Sequence, residues 1–345
     1  MSGVDFVDVV CGLAWGDEGK GKVTSRLVDI EDYDYVCRWA GGSNAGHTIY
    51  VDGKKYKTHI VPAGIFHGVK SVIGPGCVLH VESFFKELEY LKDAGFDTSL
   101  VKVSPRTHIV TDAHKNEDSG GYSERLGTTS SGIGPAYSDK ANRWGKRACN
   151  VLSSDLLWNE KFESSPRSLG AKILCEGAQG IWLDIDWGNY PYVTSSNTLP
   201  YAACSLGFPP QKIRKIWGCA KAYDTRSGKD PEFPDHLSED FHLSFLQELG
   251  KEFGVTTGRK RAVDWLNLDR LVRAVNMTGT THLVISKCDI LQESSVKKIK
   301  LSSEVTNSYL DIRDMNQFEH VIEKQIRENC NGIRTIKFSY SPEMI

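Results

Sequence analysis

The tightest constraint on this chain is the stretch Gly12-Leu13-Ala14-Trp15-Gly16-Asp17-Glu18-Gly19-Lys20-Gly21-Lys22-Val23. It follows the apolar run Val7-Asp8-Val9-Val10-Cys11, which reads as a buried strand, and leads into amphipathic sequence with Val23, Leu27 and Val28. A strand, a glycine-rich turn and a helix in succession suit an anion. Glycines let backbone N–H groups approach it, and the helix N-terminus adds partial positive charge. The spacing Gly16-x4-Gly21-Lys22 matches the start of a P-loop, yet Val23 stands where a P-loop carries the Ser or Thr that ligates Mg²⁺. Either this loop holds no nucleotide, or the metal ligand comes from elsewhere, and Asp17 is the obvious substitute.

The rest of the chain repeats the theme. Residues 34–38 read as a short strand leading into Gly41-Gly42-Ser43-Asn44-Ala45-Gly46-His47-Thr48, and residues 49–56 read as a hairpin about Asp52-Gly53. Ser71–Gly74, Val101–Val103, His108–Val110, Ile173–Cys175, Lys215–Ala220, Leu283–Ser286 and Thr335–Phe338 are further short strands. Helical stripes run through Phe84, Leu88 and Leu91, through residues 240–250, through Leu268, Leu271, Val272 and Val275, and through Phe318, Val321, Ile322 and Ile326. Residues 114–145 are polar, rich in Gly and Ser and without aliphatic period, and read as a long irregular loop, either anion-binding or a surface excursion. Strands alternating with helices, with polar loops after the strands, predict an α/β fold. Its mostly parallel central sheet is flanked by helices, and the site lies at the carboxyl ends of the strands.

Length and composition narrow the class. A chain of 345 residues allows two domains, but no linker or repeat divides it, so one domain over 1–345 with large loop excursions is expected. A net charge of −2 argues against a general nucleic-acid binder. No apolar run approaches ~20 residues, so no membrane span is expected. The first residues lack a secretory pattern, and nine cysteines without a CxxC pair favour a reducing, cytoplasmic setting and no zinc site.

Five loops carry more polarity than a fold needs: 16–22, 41–48, 127–135, 221–228 and 256–261. Ser286-Lys287-Cys288-Asp289, at a strand end, resembles the guanine-reading element of GTP-binding proteins. There an Asp accepts from N1–H and the 2-amino group, which adenine lacks. By itself it reads more readily as a solvated surface pair, and the phosphate-type loop on the first strand turns the reading toward guanine. His47, in a glycine-rich loop, is a general-acid candidate because imidazole titrates near neutrality. Arg259 and Arg261 carry guanidinium forks suited to a carboxylate.

The motifs WGDEGKGK, GGSNAGHT, GTTSSGIGPAYSDK, EGAQG with LDIDWGNYPYVTSSNT, KAYDTRSG, TTGRKR and SKCD, in this order from about residue 7 to about 290, resemble the adenylosuccinate synthetase family in a short form. The resemblance implies a ligase joining IMP and L-aspartate at the expense of GTP, with Mg²⁺, in a homodimer. It implies Asp17 as the base that takes the N1 proton and as a metal ligand, with the Gly46 carbonyl beside it. His47 would be the general acid on the 6-oxygen, with Lys20 and Gln179 assisting. Gly16, Glu18, Gly19, Gly21, Lys22, Lys287, Asp289, Ser339 and Ser341 would contact GTP. Asn44, Thr129, Gln179, Thr194, Ser227 and Arg259 would hold the monophosphate, with Arg143 from the other subunit. Thr256, Thr257, Arg259 and Arg261 would bind aspartate. The chain departs from the family at Ser130-Ser131 for Gly-Arg, at Asp224 and Ser227 for Thr and Val, at Leu199-Pro200-Tyr201 for small residues, and in Ser339-Tyr340-Ser341-Pro342 for the C-terminal STGP. A phage branch of the family acts on dGMP, with ATP or GTP as donor, and that chemistry is the alternative, with a host-cytoplasmic setting if the chain is viral. Some members of that branch lose the loop Asp and the guanine-reading Asp. Asp17 and Asp289 are both present here, so IMP and GTP are favoured. A catalytically silent nucleotide-binding protein is the remaining alternative, and it would be expected to have lost Asp17 or His47.

Overall fold

A computed structural model describes residues 3–158, 170–233, 240–254, 258–302, 307–343 and 345. Its centre is a sheet of eight strands. From edge to edge they are Thr335–Phe338, His282–Ser286, Ile213–Lys221, Val4–Gly12, Ala171–Glu176, Tyr35–Arg38, Lys70–Ile73 and Val101–Val103. Every neighbouring pair is parallel.

The first strand lies in the middle because both of its faces are apolar. Val7, Val9, Val10 and Cys11 are fully buried, as strands covered by helices on both sides require. Val10 pairs with Trp217 on one side and Glu176 on the other, so three strands end together beneath the glycine-rich loop. The chain turns from one half of the sheet to the other at this point, and ligands of open parallel sheets bind at such a switch.

The first helix, Lys20–Ile30, starts at Gly19 in the left-handed region (φ 88°). Val23 and Leu27 share a buried cluster with Val10, Leu174 and Trp217. The residue that breaks the P-loop pattern is therefore a core residue.

The hairpin forms as the Asp52-Gly53 signal predicts, between His47–Val51 and Lys54–Thr58, with both turn residues at positive φ. Two expectations change. Residues 114–145 are largely helical, with Asp112–Glu117, Ser123–Leu126 and Ile133–Asn142 joined by a π-helical turn and the 127–132 loop. These helices are short and bury few aliphatic groups, chiefly Ile133 and Ala136, so no periodicity reveals them. A second sheet also appears. Tyr223–Arg226 runs antiparallel to Ala262–Asn267, which pairs in parallel with Lys297–Ser302, itself antiparallel to Asn307–Ile312. Among the described residues no helix is long and apolar enough to cross a membrane.

Candidate functional site

The glycine-rich loop is shaped from inside by Glu18. Its carboxylate accepts from the Ala14 and Gly16 N–H groups at 3.1 and 2.8 Å and from Lys20 Nζ at 2.5 Å. Gly12 and Gly180 make room for it. A Cβ at either position would come within 2.6 Å of a Glu18 oxygen, which no side chain tolerates. The Glu18 side chain, expected at GTP, is thus spent on the loop, and its carbonyl accepts from Ser286 Oγ at 2.9 Å. Lys20 is held by the same carboxylate. Asp17 is carried outward at φ 62°, a conformation Asp accepts more readily than most residues.

His47 packs on the first turn of the first helix. A Cβ on Gly21 would lie 2.8 Å from that of His47. His47 Nδ1 bonds a Glu176 oxygen, and the other oxygen of Glu176 accepts from Ala63 N–H at 2.7 Å. Burial lowers the pKa of His47, although Glu176 pulls the other way. Burial likewise raises the carboxyl of Glu176, but His47 and Arg38 outweigh it and hold it below its ordinary range. Nδ1 therefore donates to an ionised carboxylate, and Nε2 is the nitrogen left for a ligand.

The far end of the chain closes the loop from the other side. Lys22 Nζ donates to Ser339 Oγ at 2.7 Å and to the Ser341 carbonyl at 3.2 Å. Burial brings Lys22 down to about 8. Ser339 N–H bonds the Ile285 carbonyl, and the Cys288 N–H bonds the Ser339 carbonyl. The Lys287–Asp289 turn and Ser339–Ser341 thereby form one surface against Lys22.

Glu252 joins the remaining basic groups. It is fully buried and accepts from Lys221 Nζ at 2.9 Å, Tyr223 OH at 2.8 Å and Arg261 Nη1 at 2.5 Å, with Lys287 Nζ at 3.8 Å. Burial raises its carboxyl, but Lys221, Arg261 and Lys287 more than offset this and hold it at about 2. Arg261 Nη2 lies 2.9 Å from Asp17 Oδ2. Glu252 was not among the sequence candidates, because a lone Glu before Phe253-Gly254 carries no signal until the fold surrounds it with cations.

Two of the monophosphate candidates, Gln179 and Asn44, meet at Gly41. A Cβ there would sit 3.3 Å from Gln179 Oε1 and 3.6 Å from Asn44 Oδ1. Among the described residues, Gln179 Oε1 is buried without a hydrogen-bond partner, and so is Ser227 Oγ. Arg259 Nη1 donates to the Gly127 carbonyl at 3.1 Å, bringing the basic turn to the 127–132 loop. That loop is braced by Asp118, which accepts from Thr128 Oγ1 and Gly132 N–H. Thr129 Oγ1 bonds Ser131 Oγ at 3.0 Å, and Thr194 N–H bonds the Leu183 carbonyl. Gly46 stands one residue before His47. Arg143 is not part of this gathering. It caps the Ile133–Asn142 helix on the surface, beside Trp144, which is 81% exposed. Thr256 and Thr257 lie outside the described residues.

Fold and site together define a nucleotide-dependent enzyme of the parallel α/β class. The family model for adenylosuccinate synthetase matches residues 9–168 and 163–325, and an adenylosuccinate synthetase of Candida glabrata is 39% identical over 88% of this chain and 84% of its own length. The chain belongs to the adenylosuccinate synthetase family, C–N ligases of purine nucleotide biosynthesis. The adenylosuccinate synthetase of Lawsonia intracellularis is 37% identical over 92% of this chain and 86% of its own. Among solved structures, the fully ligated adenylosuccinate synthetase of Plasmodium falciparum superposes with a TM-score of 0.82 at 27% identity, covering 98% of both chains. The cyanophage S-2L succinoaminodeoxyadenylate synthetase bound to dGMP and dATP shares the fold, with a TM-score of 0.70 at 19% identity over 99% of this chain and 94% of its own.

Proposed function

We propose that this chain, working as one domain over residues 1–345, condenses IMP with L-aspartate and converts GTP to GDP and phosphate. The observation that carries this reading is the placement of Asp17 and His47 about one helix start. Asp17 lies at positive φ in the loop before the helix, and His47, oriented by Glu176, packs on the helix's first turn.

The chemistry follows from the groups. A purine 6-oxygen is a poor leaving group until it is phosphorylated. Asp17 takes the N1 proton, and the electron pair released makes the 6-oxygen nucleophilic toward the γ-phosphorus. GDP leaves as the P–O bond to the 6-oxygen forms. His47 Nε2 meets the charge developing between the 6-oxygen and the phosphoryl group, and Lys20 and the helix start face the phosphates. The aspartate amine then attacks C6 and phosphate departs, giving adenylosuccinate. Gln179, whose buried amide oxygen has no hydrogen-bond partner among the described residues, fits a polar contact to the nucleotide. Arg261, with Arg259 and the threonines at 256 and 257, takes the aspartate carboxylates. Lys287 and Asp289 read the guanine against Ser339 and Ser341.

The residues suit Mg²⁺ rather than a dedicated metal cage. Among the described residues no three His, Cys, Asp or Glu side chains converge, whereas Mg²⁺ commonly takes one or two protein ligands and completes its shell with phosphates and water. Asp17 and the Gly46 carbonyl would hold it. When bound, it neutralises phosphate charge during transfer.

The reading places the protein in the cytoplasm as a homodimer in which Arg143 reaches the partner's monophosphate site. The exposed Arg143–Trp144 pair and nine free cysteines support this. Gel filtration at working concentration checks the dimer. The test of function is incubation of the purified protein with Mg²⁺, GTP, L-aspartate and either IMP or dGMP, following phosphate release and the nucleotide product. Turnover with IMP is expected. Turnover with dGMP alone would replace IMP as the acceptor, and nucleotide binding without phosphate release would make the chain a non-catalytic binder.

A further inference from the structure

The guanidinium of Arg261 has two working edges. Nη1 is fixed on Glu252 at 2.5 Å. The opposite edge consists of Nε and Nη2. Nη2 faces Asp17 at 2.9 Å, while Nε is buried and has no hydrogen-bond partner among the described residues. That edge is the one a carboxylate grips with both oxygens, because its two N–H groups are parallel. The same chain shows the filled version elsewhere, where Arg214 Nε and Nη2 meet the two oxygens of Asp8 at 3.0 and 2.5 Å. At Arg261 the edge is half filled, by one oxygen of one carboxylate.

Glu252 keeps that edge in place. Its remaining contacts to Lys221 and Tyr223 come from the end of a central strand and the start of the next one, so its position is set by the sheet. A buried carboxylate with two cations at 2.5 and 2.9 Å is a fixed charge, not a swinging one. Arg261 can therefore let go of Asp17 without losing its own orientation.

We propose that Glu252 is a positioning residue that presents the Nε–Nη2 edge of Arg261 as an exchangeable carboxylate fork. Asp17 occupies the fork in the resting site, and a carboxylate of the amino-acid substrate replaces it in the working site. The exchange releases Asp17 for its own role, so arrival of the substrate carboxylate and freeing of the base are linked through one guanidinium. This inference rests on the reading of Asp17 and Arg261 given above. It adds Glu252 and the competition between two carboxylates.

The test separates KM for L-aspartate from the other constants. Glu252→Gln keeps the shape and removes the charge that anchors Nη1. Its KM for L-aspartate is expected to rise about tenfold or more, as loss of a charged hydrogen bond implies, while KM for IMP stays within about threefold. Glu252→Asp, which keeps the charge, should recover much of the aspartate affinity. Arg261→Lys supplies one ammonium in place of two edges and carries the same expectation if the Gln variant does not fold. An unchanged KM for aspartate in Glu252→Gln, or in Arg261→Lys, overturns the inference. So does an equal rise in every KM, which marks general loosening. Absence of turnover by the wild-type protein with IMP, GTP and aspartate would instead refute the underlying reading.

Discussion

Lys22 Nζ donates to Ser339 Oγ at 2.7 Å across 317 residues of sequence, so the phosphate loop and the end of the last strand are one surface. Burial lowers the Lys22 pKa from 10.5 to about 8. In the free protein its charge is lost as pH rises through about 8, whereas in the unfolded chain it is lost only near 10.5. The folded state therefore binds fewer protons between these values, and Lys22 makes stability rise with pH across that window. Under the proposed reading, in which Lys22 meets the GTP phosphates, affinity for GTP should move the other way. Calorimetric titration with GTP at pH 7 and pH 9 should show Kd weakening by roughly fivefold to tenfold. Lys22→Met should weaken binding and abolish most of that pH dependence.

Asp17 touches the rest of the protein through a part-exposed ion pair with Arg261, whose contribution to stability is small. Asp17→Asn should therefore fold normally and lower kcat by about 10²–10⁴-fold, the usual range for a lost general base. Single-turnover phosphate release measures it, and near-wild-type turnover would remove Asp17 as the base.

His47 and Glu176 should fail differently. His47→Asn removes the proposed general acid and should lower kcat by about 10²-fold or more with KM values little changed. Glu176→Gln keeps the ring but no longer fixes Nδ1–H against a charge. Its kcat should fall less, and its pH–rate profile should shift because the carboxylate that favours the protonated ring is gone. Equal losses and identical pH profiles in the two variants would contradict an orienting role for Glu176.

Asp224 replaces a family Thr and is buried in the second sheet opposite Asp264, which bonds Lys300. Burial, with Asp264 adding to it, pushes the Asp224 carboxyl up to about 7, and the Asn267 N–H bonds it at 2.9 Å. A carboxyl raised in the folded state holds its proton there longer than in the unfolded chain. Stability is thus full below about 4 and is lost as pH climbs toward about 7. Asp224→Asn keeps an acceptor for Asn267 and carries no charge. Urea unfolding should find it more stable than wild type at pH 8, by roughly 1–3 kcal/mol, with the difference shrinking at pH 5.

Much of the frame was legible because it is local. The apolar run Val7–Cys11, the Asp52-Gly53 turn, the stripe Leu268–Val275 and the strand Thr335–Phe338 each declare themselves within ten residues or so. The short helices between Asp112 and Asn142 did not, because their apolar contacts are too few to repeat. The four-stranded second sheet joins segments from residue 223 to residue 312, and pairing at that distance leaves no local trace.

By itself the sequence determined that a glycine-rich loop follows a buried strand, that Val23 and not a hydroxyl follows Lys22 in that loop, and that the motifs belong to one ligase family. Backbone conformation and burial are written in short patterns, so these were readable in one dimension. Only the tertiary structure decided that Glu18 turns inward, that Glu176 orients His47 from 129 residues away, and that Glu252 holds Arg261 against Asp17. A charge's role depends on its neighbours and on how much water is left around it. Both are set when distant segments pack.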